Sequence, residues 1–273
     1  YFNTIIWSGT GSSNALDVGF QPDFTWIKRR NGTQSHNLEN SVIGATKFLI
    51  SNTTAAEQTD SSILASFDTN GITVGDNSWS NASGGTYVGW NWKAGTAFSN
   101  DASATSVGSI DSAGSVSADT GFSIINYVGT AANATIAHGL GVKPKVVIVK
   151  NRDQAGDWCV YHEDNGATHY QLLNTTNAKI DNATIWNDIA PTSSTFSIGS
   201  YLYGNTINYI AYCFASVDGY SKFGSYTGNG NADGAFVYTG FRPSYVMIKR
   251  TDAAASWIIK DSARDIDNVA GNT

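Results

Sequence analysis

A Gly-x-x-Pro phrase followed by an apolar run occurs three times, and it limits what this chain can fold into more than any other feature. It reads GFQPDFTWIKRR over 19–30, GVKPKVVIVKNR over 141–152 and GFRPSYVMIKRT over 240–251. Three of the chain's four prolines, Pro22, Pro144 and Pro243, stand in it. Fixed offsets from each proline extend the match. Six residues on lie Lys28, Lys150 and Lys249, and fourteen on lie His36, Trp158 and Trp257. Gly44-Ala45-Thr46 answers Gly166-Ala167-Thr168, and Asn52-Thr53-Thr54 answers Asn174-Thr175-Thr176. Further out, Tyr87-Val88-Gly89-Trp90-Asn91-Trp92 answers Tyr209-Ile210-Ala211-Tyr212-Cys213-Phe214. The chain therefore reads as a tandem repeat.

The pattern within one copy is that of an all-β unit. Phe122 to Val128 alternates apolar and polar, and Lys145 to Lys150 is a β-branched run fit for a buried strand. A proline at the start of a strand costs least there, because its missing N–H is not yet needed by a ladder. Its fixed φ and the glycine before it shape the preceding turn. The phrase is thus a device for starting a strand and carries no chemistry. Short strands also read over 157–162, 169–173, 195–199 and 208–215, separated by Gly, Asn and Ser turns. Six or seven such strands in ~100 residues predict a sandwich or barrel. The expected fold class is all-β, a tandem of β-sandwich repeats of jelly-roll or lectin-like type.

The spacing between prolines places the boundaries. The first two are 122 residues apart and the last two 99. Residues 97–120 are Ser, Ala, Gly and Asp with hardly a large apolar side chain. Alone, such a stretch buries too little surface to offset its ordering entropy, so it reads as a linker or exposed loop. The expected organisation is repeat 1 over 1–96, linker over 97–120, repeat 2 over 121–219, and the first half of a third repeat over 220–273. A chain that opens on a repeat boundary and closes within a copy reads as part of a longer protein.

Composition narrows the function classes. Charged residues are 14 %, the net charge is −6, and no basic cluster occurs beyond Lys28-Arg29-Arg30. Nucleic-acid binding lacks its electrostatic footprint. No apolar run approaches the ~20 residues of a membrane helix. The two cysteines, Cys159 and Cys213, read as buried thiols on strands, with a disulfide as the alternative.

Motifs for catalysis or cofactor binding are missing: no nucleophile elbow, no zinc-protease helix and no phosphate-cradling loop. The nearest cluster is Tyr161-His162-Glu163-Asp164, but the other copies hold Glu39-Asn40-Ser41-Val42 and Lys260-Asp261-Ser262-Ala263. It reads as a solvated strand end. Asp68-Thr69-Asn70-Gly71 resembles a calcium loop but lacks the downstream acid, so a β-turn fits better. The expectation is therefore a protein that is not an enzyme, with no metal and no cofactor. Trp26, Trp90 and Trp92 lie on strands and read as core. Trp79, Trp186, Tyr201 and Tyr203 fall in turn-rich parts, where an aromatic face beside Asn and Ser suits a sugar ring. These four are the candidate ligand-binding residues; closing a sandwich end or gluing subunits is the alternative role.

The phrases GFQPDFTWIKRR, GATKFLISNTTAAE, TYVGWNWKAG and YSKFGSYTGNGNADGAFVYTGFRPSYVMIKR resemble a repeated, lectin-like β domain of tail-fibre and other virion proteins of marine bacteriophages. The resemblance covers the chain except 97–120. It implies a viral, structural protein of the virion surface, outside the host cell. It further implies a homo-oligomer, a trimer by preference, that meets other virion proteins and host-surface carbohydrate; the charge and apolar-run readings above set the expectation of no nucleic acid and no membrane insertion. It carries over no catalytic residue. Position 36 departs, with His36 where the other copies hold Trp. Three functions follow as expectations: an adhesive fibre module for host attachment, a building block making only subunit contacts, and a tailspike-type glycan-degrading enzyme, which would need paired carboxylates facing a groove.

Overall fold

The computed structural model describes residues 1–202 and 204–264. The fold is all-β, with several antiparallel sheets. In chain order the first nine strands are β1 Phe2–Ser8, β2 Asn14–Asp17, β3 Phe24–Arg29, β4 Asn37–Asn40, β5 Lys47–Ile50, β6 Gln58–Thr59, β7 Leu64–Asp68, β8 Gly71–Val74 and β9 Thr86–Trp92. Next come β10 Thr96–Asn100, the one-turn helix α1 Ala102–Thr105, β11 Ser112–Ser117, β12 Phe122–Val128, β13 Ala134–Ala137, β14 Val146–Asn151, β15 Cys159–His162, β16 His169–Leu172 and β17 Ile180–Asp181. A second short helix, α2 Ala183–Trp186, precedes β18 Thr195–Ile198, β19 Asn208–Phe214, β20 Tyr245–Ile248 and β21 Ile258–Asp261.

The proline phrases do what their chemistry predicts. β3, β14 and β20 each begin two residues after Pro22, Pro144 and Pro243. Gly19, Gly141 and Gly240, three residues before each proline, sit at φ of 87°, 71° and 86°. Side chains rarely adopt that left-handed region, so glycine is required at these three bends.

The first large sheet runs β1-β9-β3-β4-β5-β6 and faces a smaller sheet, β2-β8-β7. The second runs β10-β11-β12-β19-β14-β15-β16-β17 and faces the pair β13-β18. From β12 onward its order matches the first sheet strand for strand. Phe24 and Val146, Lys47 and His169, and Thr86 and Asn208, which open corresponding strands, are each 122 residues apart (146 − 24). The hairpin β20-β21 forms a fifth, two-stranded sheet, starting 99 residues after β14 (245 − 146).

The central strands are buried on both faces, which is why β3, β14, β9 and β19 read as nearly continuous apolar runs. Their inner faces close each sheet pair: Ile27, Leu64, Ile72 and Tyr87 in the first, and Val147, Tyr161, Trp186 and Phe196 in the second. The outer faces of both large sheets and of the hairpin meet in one shared core. Corresponding positions line it: Phe24, Val146 and Tyr245; Trp26, Ile148 and Met247; Leu38, Val160 and Ile259. Ring pairs such as Phe24 with Tyr212 at 4.7 Å and Phe2 with Tyr245 at 5.5 Å cross between sheets.

Residues 97–120 are not a free linker. Ten of these 24 residues lie in β10 and β11, a hairpin added to the edge of the second large sheet through the pairing of β11 with β12. By itself this stretch buries too little apolar surface to order. Beside an existing strand it needs only backbone partners, and Gly114 lets it lie close against the Ile124 carbonyl. Phe98, Ile110 and Val116 pack against the second core. Cys159 and Cys213 are free, buried thiols, as the simpler reading expected.

Candidate functional site

Two clefts hold the residue types that could meet a ligand. The larger, about 380 Å³, opens where the two large sheets and the hairpin come together, beside Trp26, His36, Asn52, Asn174 and Trp257. Its walls are set by junction contacts that recur. Trp158 Nε1 donates to the Ile50 carbonyl at 2.9 Å, and 99 residues on Trp257 Nε1 donates to the Leu172 carbonyl at 2.9 Å. Lys150 Nζ donates to Thr54 O at 3.2 Å, and Lys249 Nζ to Thr176 O at 3.2 Å. Backbone bonds follow suit, Gly156 N to Thr54 O at 2.9 Å and Ala255 N to Thr176 O at 2.8 Å.

His36 breaks this series. It holds the position of Trp158 and Trp257, and accepts from Trp26 Nε1 through Nδ1 at 2.9 Å. Burial, then the nearby Lys28 charge, holds its imidazole down to about 4, so the ring is neutral at pH 7. Lys28 correspondingly folds back on its own loop, onto the carbonyls of Gly32 and Gln34. Lys150 is buried, which brings its ammonium down to about 8. A depressed lysine is a candidate nucleophile in many proteins. Here both of its contacts are carbonyls, Thr54 O and Asn151 O, so it acts as a clip between sheets.

The smaller cleft, about 250 Å³, lies in the second half between the loop after β14 and the loop after β18. Asn151 Oδ1 accepts from the amides of Asp153 and Gln154, which turns the first loop. Asp157 is anchored by Asn174 Nδ2 at 2.8 Å and accepts from the Tyr201 hydroxyl at 3.3 Å. Tyr201 stays 48 % exposed, presenting ring surface beside Gln154 and Asp157. Partial burial pushes its hydroxyl up, so it remains a neutral donor and acceptor at pH 7. An exposed ring flanked by a carboxylate and amides can stack on a sugar and bond its hydroxyls.

The four aromatics expected to bind ligand do not form one site. Tyr201 lines the smaller cleft. Trp79 is half-buried, edge-on to Phe48 at 5.7 Å. Trp186 is a correction: at 2 % exposure, and packed edge-on to Tyr161 at 5.9 Å, it offers no face for stacking. It ends the short helix α2, which turns it into the core, and a turn-rich sequence context did not reveal that. Tyr203 lies outside the described residues. Sequence reasoning missed Asp157 and Gln154, whose role depends on a loop from a different strand. It also missed the larger cleft, whose residues come from three separate stretches.

The other clusters are already partnered. Glu163 pairs with Lys143 at 2.9 Å and with Lys145, while His162 Nδ1 accepts the amide of Asp164. Asp68 sits at the tight turn from β7 to β8, and its carboxylate accepts from Ser66 and Thr73. Among the described residues no three His, Cys, Asp or Glu side chains converge as a metal site would require.

Antiparallel sheets sharing a core, with clefts lined by aromatic and amide groups, define an all-β protein. The chain belongs to the domain family of unknown function DUF7483, whose sequence profile matches residues 1–273. No curated protein and no solved structure matches it.

Proposed function

We propose that this chain is a structural and adhesive part of a bacteriophage tail fibre or other virion appendage. It is read as tandem β-sandwich modules of lectin-like type whose loops face host-surface glycans. The observation that carries the adhesive part is the Tyr201 cleft, with a half-exposed ring held against Asp157 and open to solvent. Support for a tandem comes from the strand order shared by the two large sheets and from junction bonds repeated at the same offsets. Single sugar contacts of this kind are weak, and several copies in one oligomer multiply them through effective concentration. A trimer of this chain, alongside other virion proteins, is the assembly we favour.

The test is a glycan array together with solution mass. Binding to host envelope glycans that falls at least about tenfold in Tyr201→Ala and Asp157→Ala, with the mass unchanged, supports adhesion. An oligomer that binds no glycan leaves the second reading, an appendage building block making only subunit contacts. One observation favours that alternative: Tyr226, Phe236 and Tyr238 stand 52 %, 89 % and 76 % exposed on one segment, as unfilled contact surfaces do.

A further inference from the structure

The smaller cleft opens at a position where its counterparts carry a cation. Residues 29, 151 and 250 correspond, 122 and 99 apart, and read Arg29, Asn151 and Arg250. In the ladder Arg29 stands opposite Tyr87, and Asn151 opposite Tyr209. In the first half the Arg29 guanidinium lies over the Tyr87 ring, 6.0 Å from its centroid, and its Nε donates to Asn31 Oδ1 at 3.2 Å. Arg29 and Gln34 fill the space there, since a side chain at Gly32 would strike Gln34 Oε1 and Arg29 Cδ. At Arg250 the same Nε donates to a carboxylate, Asp252 Oδ1, at 2.7 Å. The second half has no arginine at this place. Asn151 turns its amide oxygen onto the Asp153 and Gln154 amides, and Gly156 stands where the first half has Gln34. The result is the open cleft of about 250 Å³ beside Tyr209.

A second exchange accompanies the first. Residues 35, 157 and 256 correspond as well, and read Ser35, Asp157 and Ser256. At these two positions the first half and the hairpin carry Arg with Ser, whereas the second half carries Asn with Asp. The local charge is thereby reversed from positive to negative. Asp157 accepts one bond on each oxygen, from Asn174 Nδ2 and from the Tyr201 hydroxyl. A carboxylate has about four acceptor sites, so two stay open. Asp157 is in no ion pair among the described residues. The buried Lys150 ammonium bonds the Thr54 and Asn151 carbonyls instead. Among the described residues no Lys or Arg lines the cleft. It keeps the aromatic ring, gains an acid and lacks the cation.

We propose that this cleft takes a sugar bearing a free amine, an amino sugar of the host surface, whose ammonium replaces the missing guanidinium and bonds Asp157. A charge-assisted bond of this kind is stronger than one to a neutral hydroxyl, so the amine selects the ligand. Tyr201 supplies ring surface for the body of the sugar, and Gln154 an amide for its hydroxyls. The inference rests on the glycan reading and narrows it to one class of sugar.

The probes are glucosamine, galactosamine and mannosamine, each beside its N-acetyl form and its parent hexose, titrated into the whole chain and followed by NMR. At least one amine should bind about tenfold more tightly than its two neutral analogues. Asp157→Asn keeps the shape of the side chain and should abolish that preference. Asn151→Arg rebuilds the arrangement of the first half and should close the cleft to the amine. If a neutral sugar binds as tightly as its amine, and Tyr201→Ala removes both, this inference falls and the glycan reading stands. If no sugar binds, both fall. The inference is also overturned if the advantage of the amine survives Asp157→Asn or Asn151→Arg, because its ammonium then lies elsewhere.

Discussion

The two sheet pairs share a strand order and differ inside. One row across the first large sheet runs Asn3, Asn91, Thr25 and Glu39, and the same row in the second runs Ser123, Cys213, Val147 and Tyr161. Thr25, Asn37, Glu39 and Asn91 are all fully buried. Their bonds are partial. Thr25 donates to Asn91 Oδ1 at 2.9 Å and Asn37 Nδ2 to Glu39 Oε1 at 2.7 Å, yet Asn37 Oδ1 and Glu39 Oε2 have no partner. The second pair fills the same space with Tyr161, Cys159, Cys213 and Trp186. Ladder and turns thus specify this backbone well enough to tolerate either interior, and stability is where the interiors diverge.

The largest effect expected is in the apolar interior. Tyr161→Ala removes a ring packed on Trp186 and should cost about 3–5 kcal/mol, seen as a lower denaturation midpoint at unchanged slope. An unchanged midpoint would mean that the second interior is no better packed than the first.

Glu39 gives the polar interior a pH dependence. Burial pushes its carboxyl from 4.5 up to about 8, against the smaller opposing pull of the Asn37 bond. The folded state therefore holds a proton that the unfolded state releases above 4.5. The stability tied to that proton is whole below pH 4.5 and is lost as pH rises through about 8. Glu39→Gln should raise stability at pH 9 by a few kcal/mol, at most about 5, and leave it nearly unchanged at pH 4. Equal effects at both pH values would show the carboxyl to be hydrated.

His36 has the opposite sign. Its ring is held at about 4 against 6.5 unfolded, so the unfolded chain binds the proton first. Stability is complete above about pH 6.5 and falls as pH drops toward 4. Phe has no group to titrate there, so His36→Phe should flatten that acid limb by roughly 2–3 kcal/mol. Trp158 occupies the corresponding position in the second half and has no such limb to lose.

The smallest effect separates the row into pairs. Thr25→Val leaves Asn91 Oδ1 unbonded and should cost about 1–2 kcal/mol. Adding Asn91→Cys, the second half's residue, should recover about half of that, and a double-mutant cycle measures the coupling. Strict additivity would mean that the Thr25–Asn91 bond contributes nothing.

What the sequence revealed depended on local chemistry. The proline phrases placed the starts of β3, β14 and β20, because φ restriction and left-handed glycine act within a few residues. Period-two alternation marked strands, but it does not say what covers a face. The shared core of Trp26, Ile148 and Met247 was therefore invisible, as was the burial of Trp186. The same limit misjudged 97–120, since a strand that borrows the edge of β12 needs only a few apolar residues, here Phe98, Ile110 and Val116. Asp157 and Tyr201 meet across 44 residues, and nothing in either local context announced it.

The position of β9 also bears on synthesis. It lies between β1 and β3, although it is the last strand of its sheet to be made. Neither neighbour gains its ladder with β9 until residue 92 has left the ribosome, more than 60 residues after β3 is complete. At about 5–20 residues per second that is several seconds during which β1 and β3 wait with open edges. β19 imposes a similar wait on β12 and β14. A nascent chain of this kind is most exposed to mispairing with its neighbours on a polysome just before each closing strand emerges.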